Sequence, residues 1–434
     1  MAAISFCIFS LILSSSLLHS SLSAFSAELP RSEREALEII IGGGGAPSPS
    51  DDSPPADCLS PFLVKARQVL LNFAKTIDDP NCFTSTWDPN DTPCNYKGVK
   101  CDAYPNQNKD QAVSGLDFNQ AGFSGLKGSS LRLSGILDSI PELTFFHVNS
   151  NNFSGEVPKK IMEYKFFFEL DLSNNRLQGC FPMEVLSNND KLLFLDLRFN
   201  SLTGPVPPEL FTRDLDVIFI NNNQFSGNLP WNFGHTRARY LTFANNRFTG
   251  RIPRSIGNTS KTLTEVLFLG NQFSGCLPYE VGFLKKATVF DVSNNSLTGP
   301  IPESFACLEK IRFLNLAHNK FYGAVPESVC ELPGIRNDGN LTLRGNYFTE
   351  VGPICWKLIK SKVLDVSQNC IKGLPNQKSP EECYKFLSCV KPCADEQSLK
   401  VVPCRKYYPK YDETASPPAP VTYESLKPTR HRLM

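Results

Sequence analysis

Apolar and polar residues alternate in short runs along most of the chain, and an asparagine follows each run. In the copy FELDLSNNRLQGCFP, residues 168–182, one residue separates Leu170 from Leu172, and Asn175 comes three positions later. Alternation with a period of two predicts a β-strand whose leucines share one face. Where the chain then bends, an inward asparagine amide can bond backbone groups. Ten copies align on this asparagine at intervals of 23 to 27 residues: Asn151, Asn175, Asn200, Asn223, Asn246, Asn271, Asn295, Asn319, Asn346 and Asn369.

The spacing of the copies predicts the fold. A period of this length, with the pattern L-x-L-x-x-N-x-L-x-G-x-x-P, is typical of leucine-rich repeats, which stack into a solenoid. A degenerate copy at residues 115–125, with Ala121 at the asparagine position, extends the array to about 11 coils. The G-x-[ILV]-P ending resembles the plant-specific subclass. We therefore predict an α/β repeat fold, a right-handed plant-type solenoid with a parallel β-sheet on its concave face and disulfide-bonded caps at both ends.

Composition divides the remainder of the chain into segments. Residues 1–27 carry an uncharged apolar stretch that ends in small residues, which predicts a secretory signal peptide. Residues 28–57 form a Gly/Ser/Pro-rich lead-in and residues 405–434 a polar tail, and we expect both to be disordered. Between them we place an N-terminal cap at 58–112, the repeats at 113–375 and a Cys-rich cap at 376–404.

Charge and hydropathy narrow the classes of partner. The formal net charge is +1 and no long basic run occurs, which argues against a nucleic-acid partner. After the signal peptide no stretch of eighteen apolar residues occurs, so we expect no transmembrane segment.

The cysteines and sequons indicate an extracellular setting. Removing Cys7 with the signal peptide leaves fourteen of the 15 cysteines, an even number that favours disulfides over a metal site, and we predict no cofactor. Five Asn-x-Ser/Thr sequons agree with secretion and mark candidate glycosylation sites: Asn90, Asn152, Asn258, Asn294 and Asn340.

Residues 61–77, PFLVKARQVLLNFAKTI, are amphipathic at helical spacing, and FTSTWDPNDTPCNYKGVKC follows after residue 82. A helix, a tryptophan and then C-x6-C resemble the N-terminal cap of plant leucine-rich repeat proteins. With that cap we expect Cys94–Cys101 and Cys58–Cys82 disulfides.

The later cysteines are judged by their position in the repeat. Cys180 and Cys276 are four coils apart, roughly 20 Å at the strand spacing, so they cannot bond each other. Cys330 lies in phase with Cys307 and with Cys355 on the two adjacent coils and can reach either; we favour Cys330–Cys355. The connectivity of the five cysteines from Cys370 to Cys404 cannot be deduced.

Several phrases identify a specific family resemblance. FFHVNSNNFSGEVP, LLFLDLRFNSLTGPVP, LTEVLFLGNQFSGCLPYEVG and ATVFDVSNNSLTGPIP resemble the repeat domain of the leucine-rich repeat extensins, plant cell-wall proteins. The resemblance implies an apoplastic protein that binds small basic, cysteine-rich peptides of the rapid alkalinisation factor class as a homodimer, in wall integrity and growth control. It makes cell-wall polysaccharide a further candidate partner. The extensin region is vestigial here, because only Ser416-Pro417-Pro418 and Pro420 resemble it.

Outward positions of the predicted strands indicate where a ligand would bind. On coils two to seven they combine carboxylates with large aromatic residues that we expect to face water, a combination suited to a basic partner. Outward aspartates that merely keep this face soluble are the competing interpretation. The predicted peptide-binding residues are Phe145, His147, Glu169, Asp171, Phe194, Asp196, Arg198, Phe219, Asn221, Tyr240 and Glu265.

Other functions have less support in the sequence. No histidine has metal-ligand spacing and no serine or cysteine has a recognisable nucleophile setting, so we do not expect an enzyme. An inhibitor of microbial pectin-degrading enzymes, which also uses a plant-type solenoid, is the alternative binding function. A purely structural wall protein would need the extensin region that is vestigial here.

Overall fold

A computed structural model describes residues 59–105, 110–186, 191–337 and 339–404. The expected signal peptide, lead-in and tail lie outside these residues. Cys58 does too, so the Cys58–Cys82 pairing stays a prediction. No helix within the described ranges is long and apolar enough to cross a membrane.

The N-terminal cap begins with helix α1, Pro61–Ala74, which Ser60 caps by accepting a hydrogen bond from the Leu63 amide. Its apolar side buries Leu63, Ala66, Leu70 and Phe73 against the first coil. Strand β1, Ile77–Asp78, then pairs antiparallel with β4, Ser124–Gly125. The Cys94–Cys101 disulfide is present in this cap. The cap therefore covers the apolar end that the first coil would otherwise expose.

Twelve strands form one sheet, which we call the concave sheet. Its first pair is antiparallel and the remaining pairs are parallel, each strand bonding the next coil. The predicted leucine-rich repeat solenoid with a parallel sheet on one face is thus confirmed. The strands are β2 Val99–Ala103, β3 Gln111–Asp117, β6 Phe145–His147, β8 Glu169–Asp171, β10 Phe194–Asp196, β12 Val217–Phe219, β14 Tyr240–Thr242, β16 Glu265–Leu267, β18 Val289–Asp291, β20 Phe313–Asn315, β22 Asn340–Thr342 and β24 Leu364–Asp365.

A second sheet of ten strands, the lateral sheet, follows the asparagines. Its strand pairs are also parallel, and ten coils, from the coil of β3 to the coil of β22, each contribute one strand to each sheet. The strands are β5 Leu131–Arg132, β7 Phe153–Gly155, β9 Arg176–Cys180, β11 Ser201–Gly204, β13 Gln224–Asn228, β15 Arg247–Gly250, β17 Gln272–Cys276, β19 Ser296–Gly299, β21 Lys320–Val325 and β23 Tyr347–Val351.

The ten repeat asparagines join the two sheets and the successive coils. In the coil of Asn223, the side-chain amide donates to the carbonyls of Leu197, Ile220 and Asn221, and its oxygen accepts from the Leu202 amide. The other nine asparagines repeat the same four bonds, two within their own coil and two to the coil before. These hydrogen bonds satisfy backbone groups that the bend would otherwise leave buried and unpaired.

Short helices return the chain from the lateral sheet to the concave sheet. Most are 3-10 turns, such as Pro208–Thr212 and Tyr279–Phe283. In the last coils they are the α-helices α2 Glu327–Cys330, α3 Pro333–Arg336 and α4 Pro353–Lys360. The Cys330–Cys355 disulfide links α2 to α4. One continuous apolar core runs between these helices and the two sheets.

The C-terminal cap folds back along the solenoid. Its helices are α5, Pro380–Leu387, and α6, Glu396–Leu399. We call residues 380–404 the strap. Three disulfides hold it to the repeats: Cys370–Cys383, Cys276–Cys393 and Cys307–Cys404. The strap therefore crosses the lateral sheet toward earlier coils, a connectivity that the sequence alone did not reveal.

Candidate functional site on the concave sheet

The parallel register brings the predicted peptide-binding residues onto the outer face of the concave sheet. Asp171 lies between His147 and Asp196 on adjacent strands. Phe219 is beside Asp196, and Glu265 is beside Tyr240. Arg198 and Asn221 each follow their strand by two residues, which keeps them on the same face.

Three half-buried carboxylates and one histidine form an acidic cluster, which we define as Asp117, His147, Glu169 and Asp171. The Nε2 atom of His147 is 3.2 Å from Oε2 of Glu169. Burial alone would lower the pKa of His147, but the hydrogen bond to Glu169 and the charges of Asp171, Glu169 and Asp117 outweigh burial and raise it. Protonation of His147 is thus favoured by the carboxylates around it.

Phe145 forms one border of the acidic cluster. Its ring is 4.9 Å from the ring of His147, centre to centre. A side chain at Gly115, on the neighbouring strand, would meet the Phe145 ring at 2.1 Å. The glycine therefore leaves the space in which the half-buried ring lies.

Asp196 does not offer the open carboxylate that the sequence suggested. Arg198 donates hydrogen bonds to Asp196. Its Nε atom lies 3.0 and 2.8 Å from the two carboxylate oxygens, and a terminal nitrogen lies 2.6 Å from one of them. Asp196 is fully buried, and burial raises its pKa to about 6 although Arg198 acts in the opposite direction. The negative charge available to a ligand is therefore on Glu169, Asp171 and Asp117.

The sequence predicts that Phe145, Phe194, Phe219 and Tyr240 all face water. This prediction is wrong for two of them. Phe219 and Tyr240 are 1% and 2% exposed and pack together with Val217. The guanidinium of Arg198 lies 4.6 Å from the centre of the Phe219 ring. Phe194 stays half-buried and contacts Phe219 edge-to-face at 6.0 Å. Glu265 is completely buried as well.

An apolar patch continues this surface beyond the predicted residues. Ala244, Leu267 and Val289 cluster on the same face, with Leu269 and Phe313 packed beside them. The sequence indicates this patch, because apolar residues fill the outward positions of the strands that form it. The predicted set of carboxylates and aromatic residues does not include these aliphatic positions.

Asn221 has a buried acceptor at the centre of the face. Its side chain is 9% exposed, and its Oδ1 atom has no hydrogen-bond partner among the residues that the structure describes. A buried, unsatisfied oxygen costs about 1–3 kcal/mol.

Four sequons and the remaining cysteines lie away from this face, whereas the Asn340 sequon begins strand β22 of the concave sheet. Asn90, Asn258, Asn294 and Asn340 are exposed and Asn152 is half-buried. Cys82, Cys180 and Cys389 are exposed and form no disulfide with another described cysteine.

Family models match the two parts that define the fold. The description "Leucine rich repeat N-terminal domain" matches residues 65–102, and "Leucine Rich Repeat" matches residues 191–212, 237–259 and 286–308. Among solved structures, a TDR receptor is similar with a TM-score of 0.52 and 32% identity, covering 59% of this chain and 43% of that one.

Relatives from Arabidopsis thaliana are similar over long stretches. Leucine-rich repeat extensin-like protein 2 is 40% identical over 237 residues, 54% of this chain but 29% of that protein, so this chain spans less than a third of that relative. Leucine-rich repeat extensin-like protein 7 is 35% identical over 312 residues, 72% of this chain and 69% of that protein. The shared cap, the repeats and the extent of this match show that the chain belongs to the family of leucine-rich repeat extensin-like proteins.

Proposed function

We propose that this is a secreted protein of the plant cell wall that binds small basic, cysteine-rich peptides of the rapid alkalinisation factor class, in wall integrity and growth control. The acidic cluster carries the proposal. Its three carboxylates face a single histidine, and Phe145 and Phe194 lie half-buried at its borders. A basic peptide with apolar side chains fits such a surface.

The two kinds of residue have different tasks in this proposal. Open carboxylates steer a cationic partner and orient it, which acts mainly on the association rate. Half-buried aromatic rings serve as anchors, which act mainly on the dissociation rate. The five disulfides among the described residues support an extracellular setting, since such bonds persist in oxidising compartments.

Calorimetry with a synthetic peptide of this class tests the proposal. Exchanging Glu169→Gln and Asp171→Asn removes two charges with little change of size. We expect the affinity to fall by about tenfold or more and its salt dependence to become shallower. The double variant Glu331→Gln and Glu350→Gln removes two exposed carboxylates elsewhere and should bind like the parent.

Other outcomes would overturn the proposal. Unchanged affinity in the Glu169/Asp171 variant, with normal folding, would exclude the acidic cluster as the peptide site. Inhibition of a polygalacturonase in the absence of peptide binding would favour the pectinase-inhibitor alternative. Sedimentation of the same samples tests the homodimer that the family resemblance implies.

A further inference from the structure

The residue before each repeat asparagine, and before Ala121 in the first coil, lies just past the end of a concave strand and has a left-handed backbone. We call these residues the edge positions: Gln120, Ser150, Asn174, Phe199, Asn222, Asn245, Gly270, Asn294, His318, Gly345 and Gln368. Glycine and asparagine tolerate this conformation, whereas a bulky apolar side chain in it is an outlier. Ten of the eleven are accordingly polar residues or glycine, and only Phe199 carries a large apolar group.

Phe199 lacks the compensating contacts that other edge positions have. Its φ is +51°, and its side chain is 50% exposed. Edge asparagines bond side chain to side chain between coils: Asn174 Nδ2 donates to Ser150 Oγ at 2.8 Å, and Asn245 Nδ2 donates to Asn222 Oδ1 at 2.9 Å. A phenyl ring has no donor or acceptor with which to continue this row. Position 199 thus combines a strained backbone, a missing hydrogen bond and exposed apolar surface.

The fold does not account for the ring of Phe199. Among the described residues, Phe199 belongs neither to the continuous core nor to the two smaller apolar clusters of the concave sheet. Its backbone does connect the coils, because its amide donates to the Asn221 carbonyl and its carbonyl accepts from the Asn175 amide, both at 3.1 Å. These bonds need a left-handed backbone but no ring. Strain that packing does not explain is characteristic of ligand-binding positions.

Phe199 lies close to the acidic cluster. Asp171 of that cluster is paired in register with Asp196, and paired strands are about 4.8 Å apart. Phe199 follows Asp196 by three residues, which span about 10 Å in an extended chain. Asp171 and Phe199 are therefore at most about 11 Å apart across these two directions. One small ligand can thus reach both residues.

We propose that Phe199 is a further anchor of the peptide site, and that it selects ligands in which an apolar side chain lies within about 11 Å of a cationic one. The inference rests on the proposed peptide function. The cationic group would bond Glu169 and Asp171, while the apolar group would cover the exposed half of the Phe199 ring. Three residues of an extended peptide span this distance. A basic peptide without an apolar residue at that spacing would be steered to the acidic cluster but would dissociate quickly.

Surface plasmon resonance with the same synthetic peptide, together with melting curves, tests this inference. The variant Phe199→Gly removes the ring and relieves the left-handed backbone. Glycine is chosen because asparagine at this position would create a sequon with Ser201. We expect the dissociation rate to rise by about tenfold or more, while the melting temperature stays equal to that of the parent or rises. Phe199→Tyr keeps the ring and should bind like the parent.

His318→Gly is the matched control, because His318 is exposed at an edge position five strands further along the concave sheet, and it should bind like the parent. Unchanged dissociation from Phe199→Gly, while Glu169→Gln/Asp171→Asn loses affinity, would overturn this inference and leave the proposed function standing. A melting temperature that falls in Phe199→Gly but not in His318→Gly would also overturn it, because the ring would then pack as part of the fold. A parent that binds no peptide would overturn the proposed function and this inference with it.

Discussion

Cys393 bonds Cys276 across 117 residues of chain, and its sulfur lies over Gly299 of the next coil. The strap is thereby fixed to coils in the middle of the repeat array rather than only to the last one. Such a long covalent loop restricts the unfolded chain strongly, which is the main way a disulfide stabilises a fold.

Removing this bond should destabilise the solenoid. For Cys276→Ser/Cys393→Ser we expect the unfolding free energy to fall by about 2–4 kcal/mol in urea titrations. Cys180→Ser is the matched control, since Cys180 is exposed and forms no disulfide with a described cysteine. A urea midpoint that the double variant shares with the parent would mean that the strap does not stabilise the repeats.

The contact between the strap and Gly299 predicts a difference between two equivalent glycines. Gly299 and Gly323 occupy the same place in consecutive coils, with φ of +92° and +87°. Alanine at either position costs about 1–2 kcal/mol for the left-handed backbone. At Gly299 the new methyl group would also meet Cys393 Sγ at 2.5 Å, whereas at Gly323 its closest neighbour is 4.0 Å away. Gly299→Ala should therefore melt measurably lower than Gly323→Ala, and equal melting temperatures would contradict the close packing of the strap.

The hydrogen bonds of the repeat asparagines should stabilise the last coil as much as a coil in the middle of the array. Asn369 makes the same four bonds as Asn223 and is 0% exposed, against 9% for Asn223. We expect Asn223→Ala and Asn369→Ala each to lose about 1–3 kcal/mol, because each leaves buried backbone groups unpaired. A much smaller loss for Asn369→Ala in the same denaturant would show that the last coil frays despite its cap.

Stability should depend on pH through Asp196. Its pKa is about 6 in the folded protein against an ordinary value of 3.8, so the folded state binds its proton more tightly than the unfolded state. The stabilisation is complete below pH 4 and is lost as pH rises to 6, by up to about 3 kcal/mol. His147, whose pKa is raised, acts in the same direction at higher pH.

The variant Asp196→Asn isolates this effect. Its unfolding free energy should change less steeply than that of the parent between pH 4 and 6, whatever its absolute stability. Parallel pH profiles for parent and variant would contradict the raised pKa. Circular dichroism melts at half-unit steps of pH provide the measurement.

The repeated part of the fold was predictable from sequence because its information is local. Leu170, Leu172 and Asn175 occupy one coil, and the same spacing recurs in the next, so strand, bend and register follow from a short pattern. The strap has no such period. Cys393 and Cys276 are far apart in sequence, and the pairing of several cysteines is combinatorial until the path of the chain is known.

The candidate site was predictable in position but not in exposure. Strand parity placed Asp196, Phe219 and Tyr240 on the outer face of the concave sheet. Whether such side chains stay open depends on neighbours about 4.8 Å away on other strands, and on the direction that Arg198 takes. Arg198 turns back onto Asp196 and Phe219, which closes a surface that the pattern alone suggested was open.

The Cys307–Cys404 bond determines where a pulling force on the chain enters the repeat array. A pulling force applied to the chain beyond Cys404 enters the solenoid at Cys307, three coils before the last strand β24. A force applied at the end of a repeat array would peel coils off one at a time, each against a small load. Here the load is shared between a covalent bond and the coils on both sides of it. Tension from the surroundings would therefore reach the array at the coil of Cys307 before it reaches the last coil.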